Sequence, residues 1–479
     1  MKIVLFTLNA SWSHSSLALR CLRDPLERNG FDVVLAEHTL KDRTAHVLER
    51  LWREQADVYG FSCYIWNLRE MLSLAQDLRG LLPQARIVLG GPEVSYGLER
   101  FANDDRFDCI VCDEGEDAMV ELCCAVRDQK PIPRILKGNR PAVMRDEGIL
   151  YRRGENCGKI MYYESSRGCP YSCGYCLSSA TAGVRMKSVE QTLQDLQQFE
   201  GLSEDCRLIK FVDRTFNANP DRANRIWEAL LSEQYTKQYH FEVCASLLNE
   251  ESFSILERFP KGKIQLEFGL QSTNPETLAE VSRHIDPQSV ISSVRRIYGM
   301  GNIHVHLDLI AGLPYESYDR FKQSFDDAYG SCHMLQLGFL KLLYGTKMRE
   351  RGEEYGYVSQ AEPPYTVLQS KWISYEEICR LMRIAEVLER YDESGKFAHA
   401  KDYFIHLVSS PFAFWEGLSE YLLASDSRPI QKISQPDAYR YLLEYVKKTI
   451  PNVDENRLKE LLAMDFTANE HKNAPYFLK

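Results

Sequence analysis

No run of about 18 uncharged apolar residues occurs in this 479-residue chain, so hydropathy offers no membrane-crossing helix. The opening apolar stretch, Ile3 to Leu8, is shorter than the hydrophobic region of a secretory signal, and the chain is therefore expected in the cytoplasm, away from membranes. There is no repeat of solenoid type and no low-complexity tract, which sets aside an array or a linker-like protein. Neither terminus carries a basic RNA-binding module, and 58 basic against 68 acidic residues leave a net charge of −10. Nucleic acid is accordingly a disfavoured partner, although a local basic groove would fit within that total. No G-x-G-x-x-G follows the first apolar run, which disfavours a dinucleotide. Fourteen cysteines in a reducing compartment are read as small buried apolar residues rather than disulfides, and only a tight cluster among them as metal-binding.

The composition, 44% hydrophobic and 26% charged, is that of a globular protein. At about 150 residues per domain the length suggests about three domains. From residue 1 to 130, short β-rich runs at 3, 32, 57, 86 and 107 alternate with amphipathic stretches, the pattern of a doubly wound parallel sheet. Residues 131–156 hold three prolines and several glycines and read as a linker or small hairpin. From 157 to 348 a second series of runs begins at 159, 207, 240, 263, 304 and 334, and six strand–helix units specify a partial (β/α)6 barrel. Residues 349–479 read as a helical C-terminal domain, with helices expected near 375–391, 411–424, 436–448 and 454–463. The fold class is thus α/β with an added helical domain.

Directly after the first barrel run, SSRGCPYSCGYC places Cys169, Cys173 and Cys176 in C-x3-C-x2-C spacing. Active-site loops emerge at that end of barrel strands. Three thiolates on one short loop can hold three irons of a cubane cluster and leave the fourth iron without a protein ligand. The rival reading is structural zinc, which needs four ligands, and the nearest further cysteines, Cys157 and Cys206, are unpaired.

At these residues the chain resembles the radical S-adenosylmethionine superfamily. That resemblance implies a 4Fe–4S cluster on Cys169, Cys173 and Cys176 whose open iron chelates S-adenosylmethionine, with reductive cleavage giving a 5′-deoxyadenosyl radical. LEFGLQS at 266–272, LDLIAGLPYES at 307–317 and FLKLLYGTKM at 339–348 resemble the family's fourth, fifth and sixth strands. By the same resemblance Tyr175 would pack beside the adenine, Gln271 and Ser272 would lie near the ribose or methionine, and Ile310 and Gly312 near the adenine. FVDRTFN at 211–217 stands where the family often has glycine-glycine-glutamate, making Asp213 the substitute. Glu242 would face the site only if its strand register turns it inward.

In the N-terminal part, GFSCYIWN at 60–67, VLGGPEVSY at 88–96 and DCIVCDEGE at 108–116 resemble the cobalamin-binding, Rossmann-like domain that precedes the barrel in one subclass of these enzymes. The resemblance implies cobalamin contacts at Ser62, Gly90, Gly91 and Glu93. The cobalt-ligating D-x-H-x-x-G is missing around His14, where Trp12 and Leu17 stand instead, so cobalamin is expected without a histidine beneath the metal. Asp113 occupies a position where the family commonly has glycine, and the acids Glu114 and Glu116 are read as a helix start.

The whole chain is similar to a group of such enzymes with an extra helical C-terminal domain. The implied activity is methylation of an unactivated carbon of a small-molecule or peptide substrate, with cobalamin-assisted rearrangement or oxidative cyclisation, or a non-catalytic sensor, as alternatives. A flavodoxin- or ferredoxin-type one-electron reductant is the implied partner. Among Tyr403, Phe404, Phe412, Phe414, Trp415 and Tyr421, a helical core is the favoured role and a lid the other. His399 and His406, seven apart, are not read as a metal pair.

Overall fold

Continuous apolar runs with β-branched residues form strands that need cover on both faces, and the five N-terminal runs do so. They are β1 (Lys2–Asn9), β2 (Asp32–Thr39), β3 (Val58–Ser62), β4 (Arg86–Gly90) and β5 (Cys109–Cys112). All pair in parallel in the order β2-β1-β3-β4-β5, so the winding direction reverses between β1 and β3. Strand β1 shows the two-sided cover. Val4, Phe6 and Leu8 pack with Val47, Leu51, Met71 and Leu78 on one face, while Ile3 and Leu5 pack with Leu19, Leu26, Ala118 and Leu122 on the other.

The segment read as a linker contributes a sixth strand, β6 (Ile135–Lys137), parallel to β5 at the sheet edge. It is three residues long, largely exposed and follows Pro131 and Pro133, so it shows neither the length nor the apolar character of a buried strand.

The computed structural model describes residues 1–478 except 146–147, 156–157, 181–182, 203–205 and 472. The chain forms two compact units. The first holds Met1–Leu266, Lys341–Arg351 and Gln360–Thr366, and the second holds Glu267–Leu340, Gly352–Ser359 and Val367–Lys479.

All six strands of the second series are present. In the first unit, β7 (Met161–Tyr163) is followed by a short antiparallel hairpin of β8 (Ser166–Gly168) and β9 (Val184–Met186), then by β10 (Leu208–Phe211) and β11 (Gln238–Val243). β10 pairs in parallel with both β7 and β11. Strand β12 (Ile264–Gln271) begins in the first unit and ends in the second. β13 (His304–Ala311) and β14 (Met334–Phe339) pair in parallel within the second. Helices Val189–Glu200, Pro220–Leu230, Glu250–Glu257, Pro287–Met300 and Tyr318–Ala328 alternate with these strands, and a single helical turn, Lys347–Glu350, follows β14.

The rest of the second unit is helical. Helices Tyr375–Leu388, Pro411–Ser425, Gln435–Thr449 and Glu455–Glu470 match the expected segments, and Ala398–Ile405 adds a shorter one. Phe404, Phe412 and Trp415 are fully buried, with Phe412 edge-on to Tyr318 and Phe325, so these aromatics form core. His399 bonds Asp465 at 2.7 Å, and that carboxylate also accepts the backbone N–H of Ala400, which makes it a helix-start partner. No described helix is long and apolar enough to cross a membrane.

Candidate active site: a cavity shared by the N-terminal sheet and the cysteine loop

Ligands of doubly wound sheets bind beyond the carboxyl ends of the strands, at the switch point. There the first unit encloses a cavity of about 970 Å³, whose lining includes Asn9, His14, Ser62, Trp66, Gly90 and Gly91. Asn67, fully buried, fixes the loop after β3 by donating to the carbonyls of Leu8 (3.1 Å) and Ser62 (3.2 Å). Gly91 has φ +105°, and a Cβ there would lie 2.5 Å from the carbonyl oxygen of Cys63. Only glycine takes that conformation without cost, so the close turn at the cavity rim follows from the sequence.

Of the residues expected at cobalamin, Ser62, Gly90 and Gly91 line the cavity and Glu93 does not. Glu93 is buried, accepts a hydrogen bond from Tyr365 at 2.6 Å and pairs with Arg100 at 3.2 Å. The stacked rings of Tyr64 and Trp66, 4.4 Å apart, also face the cavity, a role the sequence reading missed although both lie within the quoted GFSCYIWN. His14 lines the cavity as well, with Nδ1 bonded to the Tyr162 hydroxyl at 2.6 Å, and burial followed by the nearby Lys210 pushes its pKa down. Asp113 has φ +63°, which explains why glycine is favoured at that position in the family it resembles.

The opposite wall of the same cavity comes from the barrel, through Glu164, Arg167, Gly168, Leu177, Val212 and Arg214. The β8–β9 hairpin is the base of the cysteine loop. It closes tightly because a side chain at Gly168 (φ +102°) would collide with the carbonyl of Gly183. Within the loop, the Cys176 N–H donates to the Cys173 carbonyl at 3.1 Å, and Cys169 Sγ lies 3.6 Å from Thr215 Oγ1. Burial pushes the Cys169 thiol up, and Cys176 and Cys173 are near enough to add to that effect. None of the three is joined in a disulfide.

Among the described residues no three of His, Cys, Asp or Glu stand preassembled around a metal position. The fit to a cluster therefore rests on the donor set, three neighbouring thiols on one pinned loop, and among the described residues the zinc reading finds no preassembled fourth ligand. Cys206 is buried and its thiol faces the Leu208 carbonyl, while Cys157 lies outside the described residues.

Arg167, two residues before Cys169, joins the two walls. It pairs with Glu164 (2.7 Å) on its own loop and with Glu114 and Glu116 (2.9 Å each) after β5, and Arg185 also bonds Glu114. Glu116 does lie in the first turn of helix Gly115–Arg127, as expected, but the pairing with Arg167 was not legible. Burial works against the guanidinium charge, and Glu164 and Glu116 outweigh it, so the pKa of Arg167 stays above its ordinary value.

The positions expected around S-adenosylmethionine divide between the units. In the first, Tyr175 is half-buried on the cysteine loop. Asp213 is fully buried and accepts bonds from the backbone and hydroxyl of Ser165 (2.8 and 2.5 Å) and the hydroxyl of Ser166 (2.8 Å), so its carboxylate braces the start of the cysteine loop. Glu242 shares a strand face with His240, opposite Phe241, whose ring packs on Phe216 and Trp227; that register turns Glu242 inward. In the second unit, Gln271 ends β12 with φ +74°, and among the described residues its buried Oε1 has no hydrogen-bond partner, as expected of a group that awaits a donor. Ser272 donates to Glu316 at 2.7 Å, Ile310 is half-buried on β13, and the Gly312 carbonyl accepts from Tyr357 at 3.0 Å.

Residues 3–123 match the family model of the B12 binding domain, 163–328 that of the Radical SAM superfamily, and 353–479 a model described as protein of unknown function (DUF4080). The chain is 25% identical over 311 residues to the cobalamin-dependent radical SAM methyltransferase TokK of Streptomyces tokunonensis, covering 58% of this chain and 45% of that protein. It is 24% identical over 320 residues to the hopanoid C-3 methylase of Methylococcus capsulatus, covering 62% and 60%. The chain thus spans less than two thirds of the length of these relatives. Among solved structures, OxsB with aqua-cobalamin and S-adenosylmethionine bound superposes with a TM-score of 0.64 at 15% identity, covering 97% of this chain and 83% of that one. TsrM from Kitasatospora setae, with cobalamin and a 4Fe–4S cluster bound, gives 0.62 at 16% identity, covering 76% and 78%. These likenesses define the fold.

The C-x3-C-x2-C loop lies within residues 163–328, the segment that matches the Radical SAM superfamily model. The chain thus joins a B12 binding domain over residues 3–123 to a Radical SAM domain over 163–328, and the cofactors these domains imply are a 4Fe–4S cluster, S-adenosylmethionine and cobalamin.

Proposed function

We propose that the enzyme methylates an unactivated carbon of a small-molecule or peptide substrate. One observation carries the reading: a single cavity of about 970 Å³ is walled by the glycine-pair loop on one side and by the start of the cysteine loop on the other. The methyl-transferring relatives TokK and the hopanoid C-3 methylase support methyl transfer. When bound, the cluster and S-adenosylmethionine would supply a hydrogen-abstracting radical, and cobalamin the methyl group.

The chain's own residues bind, orient and exclude water. Cys169, Cys173 and Cys176 would hold the cluster, and Ser62, Gly90 and Gly91 would lie against cobalamin. Gln271 offers an unpaired acceptor to a hydroxyl or amine of S-adenosylmethionine. Asp213 braces the backbone ahead of Cys169, and the Arg167 ion pairs fix that loop against the helix after β5. The stacked Tyr64 and Trp66 give the cavity an apolar wall that keeps bulk water from a reactive intermediate. A cytoplasmic setting and a flavodoxin- or ferredoxin-type reductant belong to the same proposal.

The test is anaerobic reconstitution with iron, sulfide and hydroxocobalamin, followed by dithionite and methyl-deuterated S-adenosylmethionine. About four irons and one cobalt per chain, with 5′-deoxyadenosine released even without substrate and lost in Cys173→Ala, are expected. Zinc alone in the purified protein, or no cleavage of S-adenosylmethionine, overturns the reading. Failure to form S-adenosylhomocysteine with a turned-over substrate overturns methylation in favour of rearrangement or cyclisation.

A further inference from the structure

The segment Lys341–Arg351 follows β14 in the chain yet packs in the first unit, against both cofactor loops. Toward the N-terminal sheet it makes a reciprocal contact. The ring of Tyr344 lies where a side chain at Gly97 would be, and the ring of Tyr96 lies where a side chain at Gly345 would be. Tyr344 is further held between two guanidinium groups, Arg100 at 3.7 Å and Arg349 at 3.4 Å from its ring centroid. Arg100 in turn donates to Tyr365 at 2.8 Å and pairs with Glu93. Tyr96 is itself part of the cavity wall.

Toward the barrel, the Met348 N–H donates to the carbonyl of Gly174 at 3.0 Å, and a Cβ on Gly174 would lie 2.9 Å from Met348 Cε. Gly174 sits between Cys173 and Cys176. Three residues lie between Tyr344 and Met348, and the turn they form is stiff. Thr346 is fully buried and caps the helical turn Lys347–Glu350, and Arg349 bonds back to the Leu342 carbonyl at 2.6 Å.

Extending the functional reading above, on which this depends, we propose that Lys341–Arg351 is a strap that couples the two cofactor loops, so that filling the cavity with cobalamin and loading the cysteine loop with its cluster favour each other. Tyr344, which is not among the residues lining the cavity, acts as a positioning residue. A group at Tyr96 that is pressed from the cavity moves Gly345, and through a stiff turn it moves the Gly174 carbonyl of the cysteine loop. Coupling of this kind is reciprocal, so it can be read from either ligand.

The test measures the hydroxocobalamin dissociation constant by its visible spectrum, on full-length protein without a cluster and after cluster reconstitution. The native protein should bind cobalamin at least about fivefold more tightly once the cluster is in place. Tyr344→Ala should bring that ratio close to one while still taking up about four irons per chain. Tyr344→Phe, which keeps the ring and both guanidinium contacts, should restore the ratio, which a merely destabilised fold would not do. A native ratio of one, a Tyr344→Ala ratio equal to native, or a Tyr344→Phe ratio as low as that of Tyr344→Ala overturns the strap. A protein that binds neither cobalamin nor iron overturns the functional reading instead, so the two failures are distinguishable.

Discussion

Tyr365 donates its hydroxyl to the carboxylate of Glu93 at 2.6 Å, and that bond turns the acid beside the glycine pair toward protein instead of the cavity. Glu93→Gln keeps the shape and an acceptor for Tyr365 but leaves Arg100 without its carboxylate. The expected result is a loss of about 1–3 kcal/mol in stability, read by urea denaturation, with hydroxocobalamin affinity close to native. A large loss of affinity at unchanged stability would return Glu93 to the binding surface.

Gly91→Ala tests the cavity rim itself. The added methyl would stand 2.5 Å from the Cys63 carbonyl at a backbone angle that disfavours any side chain, so the loop must move. A cost of about 1–3 kcal/mol is expected, together with weakened cobalamin binding in spectrophotometric titration. Native affinity in the folded variant would show that the rim does not meet the ligand.

Removal of the guanidinium in Arg167→Ala leaves Glu164 and Glu116 without it, while Glu114 keeps Arg185. These pairs are only partly buried, so the cost lies below the about 3–5 kcal/mol of fully buried ones, and a drop of about 1–3 kcal/mol in denaturation free energy is expected. Arg167→Lys should lose less, because one ammonium can satisfy one acid but cannot fork among three. A change below about 1 kcal/mol in the alanine variant would mean that the network is dispensable.

The pattern of these sites explains what was legible in the sequence. The strands of both series followed from continuous or alternating apolar runs, which are local signals, and the C-x3-C-x2-C spacing lies within eight residues, so it needs no fold to be seen. Strand β6 lies in a segment that reads as a linker or small hairpin because an exposed three-residue edge strand after two prolines carries no apolar signature. The pairing of Glu93 with Tyr365 spans 272 positions, and that of Arg167 with Glu114 spans 53. No local pattern encodes such pairings, so Glu93 was expected at cobalamin on motif alone and the Arg167 network was missed. Asp113 is the instructive middle case, since its departure from glycine was visible in the sequence and its left-handed backbone supplies the reason.

Glu393 provides a pH test in the second unit, at the end of a π-helical turn, Glu389–Glu393, that follows helix Tyr375–Leu388. Burial, and then the charges of Asp392 and Glu389, push its carboxyl up to about 7. Asp392 is itself held by Lys401 at 2.8 Å and by Tyr329 at 2.9 Å. With a folded-state pKa above the unfolded one, Glu393 retains its proton better in the native protein. Its stabilising contribution is therefore full below the ordinary glutamate range, of about 4.3, and is lost as pH rises through about 7. Glu393→Gln mimics the protonated acid at every pH, so the variant should match the native protein in acid and exceed it in alkaline solution. Urea midpoints of both proteins at pH 5 and pH 8.5, interpreted by this linkage, check the expectation. A difference that does not grow with pH would show that Glu393 is charged throughout the range and that its neighbours, not its protonation, set the stability of this turn.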